Sequence, residues 1–185
     1  MSWTNKRPET PPSVSTDINL SEAYSDLRQQ ALSTKRAEVG IALPERDAPA
    51  WGALMETGYR SVTVTLFALS DGTTSLYFSN GSGVIGGGDH EAVCSANKDF
   101  LNQANHSLQQ LKRCETFPIP EKAETLFYVL TDSGILTGGA LESDLASDGH
   151  PLSKLFHAGY EVITQLCVIS DDNDADQVVE PETSD

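Results

Sequence analysis

The sequence is short of basic residues, of cysteine and of long apolar runs, and each shortage removes a class of function. Only 12 lysines and arginines stand against 27 aspartates and glutamates in 185 residues, a formal net charge of −15. Seven of the acids fall in the last fifteen residues, DDNDADQVVEPETSD, so the rest of the chain still carries −8. Phosphate contacts need clustered Lys and Arg, so no nucleic-acid partner is expected. The three cysteines, Cys94, Cys114 and Cys167, are odd in number and have no C-x-x-C or Cys/His spacing, which predicts neither a disulfide framework nor a zinc site. No apolar run approaches the roughly eighteen residues of a membrane span, so no membrane association is expected. The opening MSWTNKRPETPPSVS has basic residues but no apolar segment behind them, which predicts no secretory signal. The expected setting is cytoplasmic.

What is present divides into three parts. Residues 1–18, with Pro8, Pro11 and Pro12 among Ser and Thr, cannot bury enough apolar area to offset chain entropy and are expected to be disordered. Residues 19–170 hold the periodic segments of one α+β domain, and 171–185 are expected to form an acidic, disordered tail. A first helix is expected from Asn19, capped by its side chain with Glu22 reaching back, and carrying the narrow stripe Leu20, Tyr24, Leu27, Ala31. Such a stripe suits a helix lying on a domain surface or docking on a partner. A proline loop from Pro44 leads to WGALMETGY, which reads equally as a strand or a helical turn.

The stretch 61–104 is the most ordered. SVTVTLFALS alternates, Asp71-Gly72 is a hairpin turn, and TTSLYFS is the return strand. A second helix is expected over His90–Lys112, with Asp89 as its cap and Val93, Ala96, Phe100, Ala104, Leu108 and Leu111 as its apolar stripe. A second hairpin turns at Asp132-Ser133-Gly134, and Pro151 opens a third helix whose β-branched end, near 160–169, also suits a strand. The expected fold is a single α+β domain, an antiparallel sheet of about five strands with helices packed on it.

Between the first hairpin and the second helix, Gly81-Ser82-Gly83-Val84-Ile85-Gly86 matches G-x-G-x-x-G. That motif binds dinucleotides in a parallel βαβ unit, whereas here it follows an antiparallel hairpin. Asp89 ahead of the helix would also repel a pyrophosphate, and no acid ends a strand about twenty residues on. Two uses of the loop remain open. Asn80-Gly81 makes a turn, Val84-Ile85 a short strand or sheet-crossing segment, and the later glycines serve close backbone approach, or Gly83, Gly86, Gly87, Gly88, Asp89 and His90 bind a small anion or a partner's carboxylate at the helix start. No resident cofactor, metal or catalytic residue is expected. His90 and Cys94, at i and i+4, lack further ligands; His106, His150 and His157 are scattered; Glu142, Asp144 and Asp148 miss the calcium-loop spacing. Trp51 and Tyr59 are either interface anchors or core residues.

The segments WGALMETGY, TLFALSDGTTSLYFSNGSGVIGGG and HPLSKLFHAGYEVITQL resemble ones shared by a family of bacterial proteins of uncharacterised function, over most of 51–166. That resemblance implies a bacterial cytoplasmic protein and carries no activity. In element order the chain also resembles profilin-like modules of the roadblock and longin type, which implies work through protein contacts, often as dimers. The expected function is a non-enzymatic protein-interaction or regulatory domain, with a protein partner or a homodimer. The alternative is a small-ligand or anion-binding protein, or an enzyme, using the loop Gly81–Gly88.

Overall fold

The computed structural model describes residues 20–41 and 49–176. The expected disordered lead-in, the Asn19 cap, residues 44–48 of the proline loop and 177–185 of the acidic tail lie outside the described residues. In chain order the elements are α1 (Glu22–Ser33), β1 (Ala50–Gly58), β2 (Thr63–Leu69), β3 (Thr74–Phe78), β4 (Gly83–Ile85), α2 (Glu91–His106), β5 (Lys112–Arg113), β6 (Glu124–Thr131), β7 (Gly134–Leu141), α3 (Glu142–Leu145) and α4 (Ser153–Asp176). The strands form one open sheet in the order β4-β3-β2-β1-β6-β7-β5, antiparallel throughout. The α+β class stands, but the sheet has seven strands where about five were expected. The additions are β4, which takes the short-strand reading of Val84-Ile85, and β5, two residues long and too short to carry an alternating pattern.

WGALMETGY resolves as the central strand. All nine residues of β1 are buried, because β2 and β6 flank it and helices cover both faces. Residues buried on both faces show no period of two, which is why the sequence left this segment undecided. The second helix is shorter than expected. It ends at His106, a 3-10 turn spans Leu108–Gln110, and Leu111 still reaches the core just before β5. Its N-cap is His90 without a side-chain cap bond, and Asp89 instead closes a preceding 3-10 turn, Gly87–Asp89. The first helix is capped by Ser21, whose hydroxyl accepts from the Tyr24 amide. Residues 160–169 are helical, and α4 continues to Asp176.

The two faces of the sheet are covered unequally. On one, Met55, Leu66, Leu76, Phe127 and Val129 meet Phe100 and Val93 of α2 and Leu155, Val162 and Leu166 of α4 in the main core. On the other, among the described residues, Leu54, Leu69, Tyr128 and Leu130 meet the single helix α1, through Ala31 and Leu32, together with Trp51 and the partly buried Phe117 and Ile135. Among the described residues no helix is long and apolar enough to cross a membrane.

Phe100 is fully buried between the sheet and α4. Phe100→Ala is expected to cost about 3–5 kcal/mol through lost burial and a residual cavity. Urea unfolding checks this as a lower midpoint with an unchanged slope.

Candidate functional site

The glycine-rich loop joins the sheet edge to α2. β4 pairs antiparallel with β3, placing Gly83 opposite Tyr77. A Cβ on Gly83 would meet the Leu76 carbonyl at 2.5 Å, and one on Gly88 would meet the Gly72 carbonyl at 2.7 Å. Gly87 is buried against Leu166 of α4 and Val93 of α2. Gly86 has φ +91° with open space around it, so its backbone conformation, not crowding, favours glycine. Asp89 and His90 are exposed at the start of α2. The Cys94 thiol donates to the Gly88 carbonyl at 2.9 Å, which ties the loop to the helix.

The remaining candidates stay apart. His106 and His157 are exposed, and the His150 ring accepts at Nδ1 from the Leu152 amide at 3.2 Å, steadying the entry to α4. Asp144 and Asp148 are exposed on and after α3. Among the described residues no group of three His, Cys, Asp or Glu side chains converges to hold a metal. Burial pushes the Cys114 thiol above its ordinary range, away from a reactive thiolate. Trp51 is core, whereas Tyr59 is surface-exposed and hydrogen-bonds the Tyr160 hydroxyl at 2.7 Å. Tyr160 in turn donates to Glu142 at 2.6 Å. Burial, and then the hydrogen bond to Glu142, raises the Tyr160 phenol, so this cluster holds its protons instead of releasing them.

The chemically distinctive arrangement lies beneath α1. Glu56, on central β1, is fully buried on the face that α1 covers. Arg28 of α1 meets it in a bidentate pair, Nε–Oε1 at 2.8 Å and Nη2–Oε2 at 2.7 Å. The guanidinium also donates to the Pro118 carbonyl at 3.0 Å and lies over the Tyr128 ring, 5.7 Å from its centroid. Tyr128 donates its own hydroxyl to the same carbonyl at 2.6 Å. Thr65 on β2 donates to Glu56 Oε1 at 3.2 Å, which spends its only proton. The Tyr24 hydroxyl, 3.0 Å from Thr65 Oγ1, is therefore the donor in that contact. The Tyr77 hydroxyl is buried in the same layer and has no hydrogen-bond partner among the described residues.

Electrostatics follow from this geometry. Burial alone would lower Arg28, but its hydrogen bonds to Glu56 and the carboxylate charge outweigh that and hold it above its ordinary value. Burial, and then the negative Glu56, pushes Tyr24 up to about 12 and raises Tyr77 and Tyr128 as well. The Arg28–Glu56 pair is thus ringed by phenols that hold their protons.

Around α1 the surface is open. A cavity of about 640 Å³ lies between the helix and 115–119, bordered by Tyr24, Arg28, Phe117 and Ile119. Another of about 240 Å³ lies between the helix and β2–β3, bordered by Leu27, Ala31, Phe67 and Tyr77. A third, of about 420 Å³, sits at its C-terminal end near Trp51 and Ile135. No family model matches this chain, and no curated protein or solved structure matches it either.

The sequence offered two hints of this site. Arg28 stands four residues after Tyr24 and three before Ala31, within the stripe and not opposite it. Glu56 is the single charge inside an otherwise uncharged strand. Nothing local joins the two, since their pairing is set by where α1 docks.

Removing one member of a buried pair strands the other charge, so Arg28→Ala is expected to cost about 3–5 kcal/mol. The double change Arg28→Met with Glu56→Leu is expected to cost much less, because no buried charge remains. Chemical unfolding of the two variants checks the contrast, and equal losses would contradict it. A second expectation concerns alkaline pH. The folded Tyr24 phenol ionises near 12 against an ordinary 10, so its contribution is complete below pH 10 and is lost as pH rises through 12. Over that window the stability of the wild type relative to Tyr24→Phe should decline, as read from urea midpoints at successive pH values.

Proposed function

We propose that this chain is a non-enzymatic protein-interaction or regulatory domain whose working surface is the face bearing α1. The observation that carries this reading is the unequal covering of the sheet. The opposite face is closed by two packed helices, whereas among the described residues this one carries a single short helix flanked by three cavities. A surface seated this way has a defined closed arrangement and room beside it for a partner's side chains.

Among the described residues α1 is held by a small apolar contact, chiefly Tyr24, Ala31 and Leu32, and by polar tethers. The Ser21 amide donates to the Ser79 carbonyl at 2.8 Å, Arg28 pairs with Glu56, and Arg36 just beyond the helix pairs with Asp132 at 2.8 Å. Polar tethers hold a position with little apolar area, which favours an element able to change partners. The acidic balance adds long-range attraction for a basic partner and repels nucleic acid.

Native-state hydrogen exchange tests the reading. Amides of α1 should open at least ~30-fold more readily than those of α2 and β1, a difference of about 2 kcal/mol. Protection of α1 equal to that of β1 and β6 would mean a permanently sealed face and would sink the proposal.

A further inference from the structure

We infer that Glu56, Tyr128 and the Pro118 carbonyl form a guanidinium-binding cage, occupied internally by Arg28, whose external ligand is an arginine-bearing segment of a partner protein. This rests on the interaction reading above and names the chemistry that the partner must supply.

The cage is built almost wholly from parts other than α1. Its carboxylate comes from β1, its ring from β6 and its carbonyl from the segment ahead of β6. These groups are held in place by one another. Thr65 orients the carboxylate by donating to Oε1, and the Tyr128 hydroxyl anchors the Pro118 carbonyl. Among the described residues, apart from Arg28 itself, only the Tyr24 bond to Thr65 reaches the cage from α1. Lifting α1 therefore removes the cation and leaves its receptor assembled.

The receptor selects for guanidinium over ammonium. Two carboxylate oxygens accept from Nε and Nη2 side by side, a carbonyl takes a further N–H, and an aromatic face covers the flat cation. A lysine ammonium, a compact point charge, cannot match this planar fork. The buried carboxylate also makes an empty cage unfavourable, so release of Arg28 is coupled to arrival of another cation. An incoming arginine exchanges like for like, and the cavity beside Arg28, with Phe117 and Ile119 on its wall, has room for the residues flanking it.

Chemical rescue tests the cage with the full chain. Arg28→Ala should lose thermal stability and regain roughly 5 °C in melting temperature with tens of millimolar methylguanidinium, but not with equal methylammonium. If this variant does not fold alone, refolding yield in each salt, followed by circular dichroism, gives the same comparison. The rescue should vanish in Arg28→Ala with Glu56→Gln. Equal effects of the two cations, or rescue that persists without the carboxylate, would overturn the cage. A second arm adds a peptide of residues 19–36 to the Arg28→Ala chain and follows binding by fluorescence anisotropy. Binding at least ~10-fold tighter than that of the peptide carrying Arg28→Lys supports exchange in trans. Salt rescue without any peptide binding would leave the cage standing and overturn the interaction reading.

Discussion

The pair between Arg28 and Glu56 is the constraint around which the second face of the sheet is arranged. Glu56 occupies the central strand, where every neighbouring position is buried and no water can reach the carboxylate. An unpaired charge there costs several times what a surface charge does, so the fold is consistent only with a cation delivered from above. α1 is the element that delivers it. Its apolar contribution is small, chiefly Tyr24, Ala31 and Leu32, and apolar contacts tolerate sliding. A bidentate pair does not. A one-residue rotation would bring Leu27 or Gln29 over the carboxylate, and neither neutralises it. The bidentate geometry is therefore met at one register of the helix, the one that places Arg28 over Glu56.

That constraint spreads through hydrogen bonds. The guanidinium holds the Pro118 carbonyl, which also receives the Tyr128 hydroxyl, so the segment between β5 and β6 is positioned by the same centre. Phe117 then packs edge-on against Tyr128, its ring centroid 5.7 Å away. On the far face the order of causes is reversed. Phe100, Leu155, Val162 and Leu166 fill space by shape, and among the described residues no ion pair joins α2 or α4 to the sheet. One face is specified by volume and the other by charge. A volume-packed face opens at the cost of all its contacts together, while a charge-specified one can exchange one cation for another.

Much of the skeleton was legible in the sequence because it repeats local rules. Asp71-Gly72 and Asp132-Ser133-Gly134 sit between runs of strand-forming residues, and both hairpins formed there. Val93, Ala96, Phe100 and Ala104 share one face of α2 as their spacing required. Legibility failed where burial on both sides erased periodicity, as in β1, and where an element was too short for a pattern, as in β5. It also failed where one periodicity ran on into a different structure. Leu108 and Leu111 continue the spacing of α2 and still pack on the core, but they do so from a 3-10 turn and the approach to a strand. Val162 and Ile163 favour strands by composition, yet Leu155, Val162 and Leu166 fall on one helical face, and packing against α2 outweighs intrinsic preference. The ion pair was the least legible feature, because it joins residues 28 positions apart through a docking that no local rule encodes.

The glycine loop illustrates why a motif has to be weighed by the backbone that carries it. G-x-G-x-x-G binds a pyrophosphate because a parallel strand, a tight turn and a helix start leave amides pointing into an open crevice. Here the same letters follow an antiparallel edge. Gly83 admits the backbone of β3, Gly87 admits Leu166, and Gly88 admits the turn at Gly72. The missing side chains are matched by protein atoms at three of the four glycines between 83 and 88, and the fourth, Gly86, makes a left-handed bend. Glu56 is the contrasting case, a residue that no motif would single out. Its surroundings demand a particular cation in a particular plane, and that demand states what the site can recognise.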